Sequence, residues 1–193
     1  MDLKLIIISG FKNGGLVNFF LKLINMNEKL DSYLVEKYPK IFINRYESVK
    51  NSAMFFGFDH NDGWFWILDQ LCDSIQHYID MNNEWNKIKI SQVVADQVKE
   101  KYGLLNFYCH GGNDQIDGMI SLAETMSSNT CEFCGSTENV GKTNGWIYTI
   151  CKDCYDHSNE RISYLSWGKN ENSPNEDIIK EIRKIKLDKL NLK

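Results

Sequence analysis

At 193 residues, with 42% hydrophobic and 25% charged side chains, the chain carries enough apolar material for a packed core and is not a disordered segment. Its net charge of −4 and pI of 5.6 weigh against a dedicated duplex-DNA binder, whose affinity rests on neutralising phosphates, and Arg45, Arg161 and Arg183 are its only arginines. No apolar run approaches the roughly 18 residues that a membrane helix needs, and residues 3–8 lack the cleavage site of a secretory signal, so a cytosolic protein is expected.

In chain order, the apolar run at residues 3–8 predicts a short buried strand ended by Ser9-Gly10. Residues 16–38 have a mixed apolar spacing that suits one or two helices, closed at Tyr38-Pro39 because a residue before proline is driven out of the helical basin. Phe55-Phe56-Gly57-Phe58 reads as extended, and Asp59-His60-Asn61-Asp62-Gly63 as a polar loop. The clearest helix begins at Trp64, with Ile67, Leu68, Leu71, Ile75, Tyr78 and Ile79 at three-to-four-residue spacing and Asn61 or Asp62 as its cap. Residues 93–98 and 104–109 read as a β-hairpin turning at 99–103. Gly111-Gly112-Asn113 breaks the chain before a second amphipathic helix, whose apolar face holds Ile116, Met119, Ile120, Ala123 and Met126. In the tail, Ser173-Pro174-Asn175-Glu176 is a capping box, and Ile178, Ile179, Ile182, Ile185 and Leu190 form an apolar stripe among lysines and glutamates.

The chemistry concentrates in four cysteines. Cys131 and Cys134 form one C-x2-C pair and Cys151 and Cys154 another, sixteen residues on. Two intervening residues let one turn aim both sulfurs at a single ion, and the hairpin between the pairs completes a tetrahedron. A redox dithiol is the competing reading, but two pairs at ribbon spacing favour a zinc site of four thiolates. Such a set leaves no open position for water, so the zinc is expected to be structural. Cys72 and Cys109 are left as reduced, buried thiols, and His157 follows a ligand set that is already complete.

Binding signals are weaker. The Gly111-Gly112 turn, leading from a strand into a helix, offers backbone amides to an anion, with Lys99, Lys101 and His110 near in sequence; a plain strand-to-helix turn is the simpler explanation. Among the aromatics, Trp64 and Phe107 fall on core positions, whereas Trp66, out of phase with its helix's apolar face, and Tyr108 could stack a base. Asp59, His60 and Asp62 lack a second ligand cluster, and His77 with Asp73 and Asp80 fits a solvated flank. No Ser/His/Asp arrangement, Walker loop or dinucleotide fingerprint occurs, so binding is expected rather than catalysis.

Several separate segments occur in an order that is itself informative. They are Tyr38-Pro39-Lys40-Ile41-Phe42; Phe56-Gly57-Phe58 with Asp62-Gly63-Trp64-Phe65, Leu68-Asp69 and Leu71-Cys72; Gln97-Val98-Lys99-Glu100-Lys101-Tyr102-Gly103-Leu104 with Phe107-Tyr108; and Cys131-Glu132-Phe133-Cys134-Gly135 with Gly145-Trp146-Ile147, Thr149 and Cys151. Together they resemble a family of small zinc-ribbon proteins encoded by phages and prophages, over about residues 38–157. The resemblance implies a viral origin and a setting in the host cytosol. It implies no mechanism, since the family carries no established activity.

The sequence thus predicts an α+β fold: helices packed on a small antiparallel sheet at residues 1–129, a four-cysteine zinc ribbon at 130–157 and a C-terminal amphipathic helix within 158–193. The expected function is a binding protein of anti-defence type that sequesters a nucleotide-type signal, with Trp66, Lys99, Lys101, Tyr108, His110, Gly111 and Gly112 as candidate ligand residues. A nucleic-acid-binding accessory protein and an adaptor for a host protein are the alternatives. The tail stripe suggests a homodimer through the C-terminal helix.

Overall fold

The structure, a computed structural model, describes residues 26–158 apart from 49, 51 and 145. The strand expected at 3–8, residues 16–25 of the helical stretch expected at 16–38 and the C-terminal helix expected within 158–193 lie outside the described residues. Within them the fold is α+β, built from four α-helices and two small antiparallel two-stranded sheets.

Helix α1 (Glu28–Lys37) starts where Asn27 accepts a hydrogen bond from the Lys29 amide, and it ends ahead of Pro39. It buries Leu34 and Val35 together with Asp31, whose carboxylate is gripped by Arg45 at 2.8 and 3.0 Å. The charge inside α1 is therefore paired, as a buried carboxylate must be.

The segment at Phe55 is not extended. Ala53–Phe56 form a 3-10 turn, because Ser52 Oγ accepts from the Met54 amide and Gly57 takes a left-handed φ of 86°. Only Met54 of this turn is buried, so its side chains do not follow the period of a strand. Phe58 returns to the core, edge-on to Phe42 at 5.0 Å.

Helix α2 (Phe65–Trp85) follows a 3-10 turn at Asp62–Trp64 and has no side-chain cap. The expected caps serve elsewhere. Asp62 Oδ1 accepts from the Asn27 amide, and the Asn61 side chain donates to Glu132. Ile67, Leu68, Leu71, Ile75 and Ile79 are buried as their spacing predicts, and the helix runs on past them to Trp85.

Strands β1 (Ser91–Glu100) and β2 (Leu105–Gly112) form the predicted hairpin. Its turn is closed by paired backbone bonds between Lys101 and Leu104. Along its free edge β1 is bonded by Ile41 and Asp59, which limits the exposed row of strand groups. Gly111 and Gly112 belong to the end of β2 rather than to a loop. Helix α3 (Asp114–Ser127) then begins at Asn113, whose side chain accepts from the Ile116 amide. Ile116, Ile120 and Ala123 are buried where α3 packs on α2 and β2, whereas Met126 on the same predicted face is exposed.

One core unites α1, α2, the β1–β2 hairpin and α3 around Trp64, Phe42, Phe58, Leu68 and Ile75. A second, small cluster holds Cys131, Ile150 and Cys151 in the last part of the described chain, where β3 (Val140–Lys142) pairs with β4 (Thr149–Cys151) ahead of α4 (Lys152–His157). Among the described residues no helix is long and apolar enough to cross a membrane.

Candidate metal centre and adjoining cleft

All four sulfurs of Cys131, Cys134, Cys151 and Cys154 lie within 4.8 Å of one another. Sulfurs about 2.3 Å from a tetrahedral zinc stand roughly 3.8 Å apart. The Cys134–Cys151 separation of 3.6 Å matches that figure and is far beyond the roughly 2.05 Å of a disulfide. The donor set therefore fits a zinc ion with a closed coordination shell.

Backbone bonds shape each pair of ligands. The Gly135 amide donates to the Cys131 carbonyl at 2.9 Å, tightening the first knuckle, and Gly135 takes a φ of 77° there. At the second, Cys151 caps α4 and its sulfur accepts from the Cys154 amide at 3.4 Å. Burial pushes the Cys131 thiol up to about 11, so a nearby cation is what would hold it as thiolate.

The knuckle is joined to the core through backbone. The Gly63 amide donates to the Glu132 carbonyl at 2.7 Å, and Trp64 Nε1 donates to the Thr130 carbonyl at 2.9 Å. Glu132, between the first two ligands, is buried; its Oε1 accepts from the Asn61 amide and side chain while Oε2 has no hydrogen-bond partner. Burial pushes its carboxyl up to about 7, against the pull of the two Asn61 donors. His60, expected in a polar loop, is fully buried between Phe58 and Trp64.

A second joint forms at the tip of the β1–β2 hairpin. Thr149 Oγ1 donates to the Gly103 carbonyl, and Lys142 Nζ to the Tyr102 carbonyl at 3.4 Å. Beside this joint a cleft of about 390 Å³ is lined by Lys99, Glu100, Lys101, Tyr102, Trp146 and Ile147. Tyr102 and Trp146 leave 70% and 68% of their surface exposed. Tyr102 also holds a φ of 56°, the left-handed region that side chains avoid, followed by Gly103 at 70°. Two positive φ values in succession are the mark of a type I′ hairpin turn, whose first central position favours asparagine, aspartate or glycine. A tyrosine there carries a backbone cost while its ring faces solvent.

The candidate ligand residues divide between places. Lys99 and Lys101 line the cleft, and Lys99 Nζ sits over the Tyr108 ring at 5.4 Å. Gly112 pairs with Ser91 at the opposite end of the hairpin from the Lys99–Asn106 pair, roughly 20 Å away at the rise of a strand. The α3 terminus there is already capped by Asn113 and carries Asp114 and Asp117 in its first turn, which disfavours an anion. Gly112's own amide donates to Ser91 Oγ, and at Gly111 a Cβ would meet the Gln92 carbonyl at 2.1 Å. Backbone geometry explains both glycines. His110 pairs with Asp96 at 3.0 Å, and Trp66 lies on α2. Cys72 is buried and Cys109 half-buried; His77, Asp73 and Asp80 are exposed.

Glu100, Tyr102, Trp146 and Ile147 were not among the residues singled out from sequence for binding, although the tight Lys101-Tyr102-Gly103 turn was a usable signal. Compared with protein-family models, curated proteins and solved structures, the chain matches none.

Proposed function

We propose that the protein is a binding module in which a structural zinc, held by Cys131, Cys134, Cys151 and Cys154, braces a cleft that retains a nucleotide-type ligand. One observation carries this reading: two exposed rings, Tyr102 and Trp146, share a cleft with two ammonium groups, Lys99 and Lys101. Rings supply faces for a base, ammonium groups meet phosphates, and the Glu100 carboxylate can accept from a ribose hydroxyl or an exocyclic amine. The cleft's size is that of a small-molecule site. Zinc serves here by fixing the ribbon wall of the cleft against the hairpin tip, not by chemistry on the ligand. Retention without turnover is what a protein that sequesters a nucleotide signal, in the anti-defence sense, would need.

The test is a thermal-shift and calorimetric screen of the zinc-loaded protein against cyclic and linear dinucleotides and ADP-ribose derivatives. Saturable stabilisation that is lost in Trp146→Ala and in Lys99→Gln/Lys101→Gln supports the reading. No stabilisation by any of them overturns it. Retardation of single-stranded oligonucleotides with steep salt dependence would instead assign the cleft to a nucleic-acid strand.

A further inference from the structure

Of the described side chains that line the cleft at the hairpin tip, Glu100 alone is a pure hydrogen-bond acceptor. The backbone acceptors of the turn are engaged: the carbonyls of Lys101, Tyr102 and Gly103 accept from the Leu104 amide, Lys142 Nζ and Thr149 Oγ1. Glu100 itself is half-buried and held in place, its Oε1 accepting from the Gly103 amide at 2.6 Å. Among the described residues no lysine, arginine or histidine pairs with it. A carboxylate has about four acceptor positions, so one bond to the turn leaves both oxygens able to take a donor from the cleft. The group is thus fixed before any ligand arrives, which lowers the cost of binding one.

We propose that Glu100 selects the base of the retained nucleotide and that this base is guanine, an inference that rests on the nucleotide reading of the cleft. Among the common bases only guanine sets two N–H donors side by side, at N1 and N2, and a carboxylate accepts both at once. Adenine and cytosine each set an amine beside a ring nitrogen lone pair, which would face a carboxylate oxygen and repel it. The one N–H of uracil lies between two carbonyl oxygens. Selection therefore comes from a match with one base and a clash with the others. Tyr102 and Trp146 offer ring faces, and Lys99 and Lys101 offer charge to phosphates, to any nucleotide alike. The carboxylate is the one group in the cleft that tells bases apart by their edges.

The experiment is calorimetry of the full zinc-loaded chain with three cyclic dinucleotides that share one backbone and carry guanine, hypoxanthine or adenine. Hypoxanthine keeps the N1 donor and lacks the N2 amine. The guanine compound is expected to bind at least about tenfold tighter than the adenine compound, with the hypoxanthine compound between them. Glu100→Gln should keep the zinc content and the thermal midpoint, because the new side-chain carbonyl can still accept from the Gly103 amide. It should cut guanine affinity about tenfold and leave adenine affinity equal or higher, since an amide matches the paired donor and acceptor of adenine. A residue that served only its own turn would give no such reversal. Equal affinity for guanine and adenine, tighter binding of adenine, or a guanine preference that survives Glu100→Gln would overturn the proposal. Binding of ADP-ribose derivatives alone would overturn the choice of base and leave the nucleotide reading standing. Binding of no nucleotide at all would overturn both.

Discussion

Gly63 stands so close to Cys131 that a Cβ on the glycine would come within 2.2 Å of the cysteine's carbonyl oxygen. The same methyl would meet the Gly135 amide nitrogen at 2.5 Å and the Glu132 carbonyl oxygen at 2.6 Å. All three are backbone atoms of the first metal knuckle, so none can rotate aside. The turn before α2 and the knuckle therefore pack backbone against backbone, and the hydrogen bond from Gly63 to Glu132 depends on that approach.

Gly63→Ala is accordingly expected to destabilise the fold by about 2 kcal/mol or more, although alanine is the mildest possible addition. Urea denaturation followed by tryptophan fluorescence measures it, since Trp64 adjoins the joint. A variant as stable as the parent would show that the joint opens without cost.

Zinc content provides the second prediction. About one zinc per chain is expected by elemental analysis of protein purified without chelator. Cys131→Ser or Cys154→Ser should lose the metal and lower the thermal midpoint, because ligand geometry and local folding form one event. Wild-type protein that is free of metal and melts at the same temperature as the two variants would refute the assignment.

Much of this architecture could be read in advance, and the parts that could not share a physical cause. Periodicity gave α2 and the hairpin, because Ile67, Leu68, Leu71, Ile75 and Ile79 answer to one local rule of burial. The cluster of four cysteines was legible for a similar reason, since two-residue spacing within each pair is a local geometric demand. The cleft was not, because it arises where two segments distant in sequence, Lys101–Leu104 and residues 146–149, come together. Asn61 and Asp62 misled for the same reason. Both have cap chemistry, but tertiary partners, Glu132 and the Asn27 amide, claim their side chains. Gly111 and Gly112 suggested an anion site because their conformational need, at φ of 84° and 81°, is indistinguishable in sequence from that of a phosphate loop.

Tyr102 separates stability from binding. Its left-handed backbone suits asparagine better, so Tyr102→Asn is expected to leave stability unchanged or raise it by up to about 1 kcal/mol. The same change removes a ring from the cleft and should weaken ligand binding about tenfold, near the 1–3 kcal/mol attributed to one stacked base. Tyr102→Phe keeps the ring and should keep most of the affinity. Denaturation and calorimetry on the two variants decide the matter; a stabilised Asn variant that binds as tightly as the parent would remove Tyr102 from the site.

The pH dependence of stability should carry the mark of His60. Its Nδ1 lies 2.8 Å from the Asn61 carbonyl, which can only accept, so the proton sits on Nδ1 and the buried Nε2 keeps its lone pair. Burial, working against that carbonyl and the charges of Asp62 and Asp31, brings the ring down from 6.5 to about 4. The unfolded chain then binds a proton between these values that the folded chain does not. Stability from the neutral ring is fully present above about pH 6.5 and is lost as pH falls towards 4, by about 3 kcal/mol in all. Acid would also release a zinc held by the four thiolates, in parent and variant alike, so the difference between the parent and His60→Phe is the useful quantity. Measured by urea denaturation, that difference should change by about 3 kcal/mol between pH 4 and 6.5, in favour of the parent as pH rises, and stay level above. A difference that is flat across the whole range would mean that His60 accepts its proton without leaving the core.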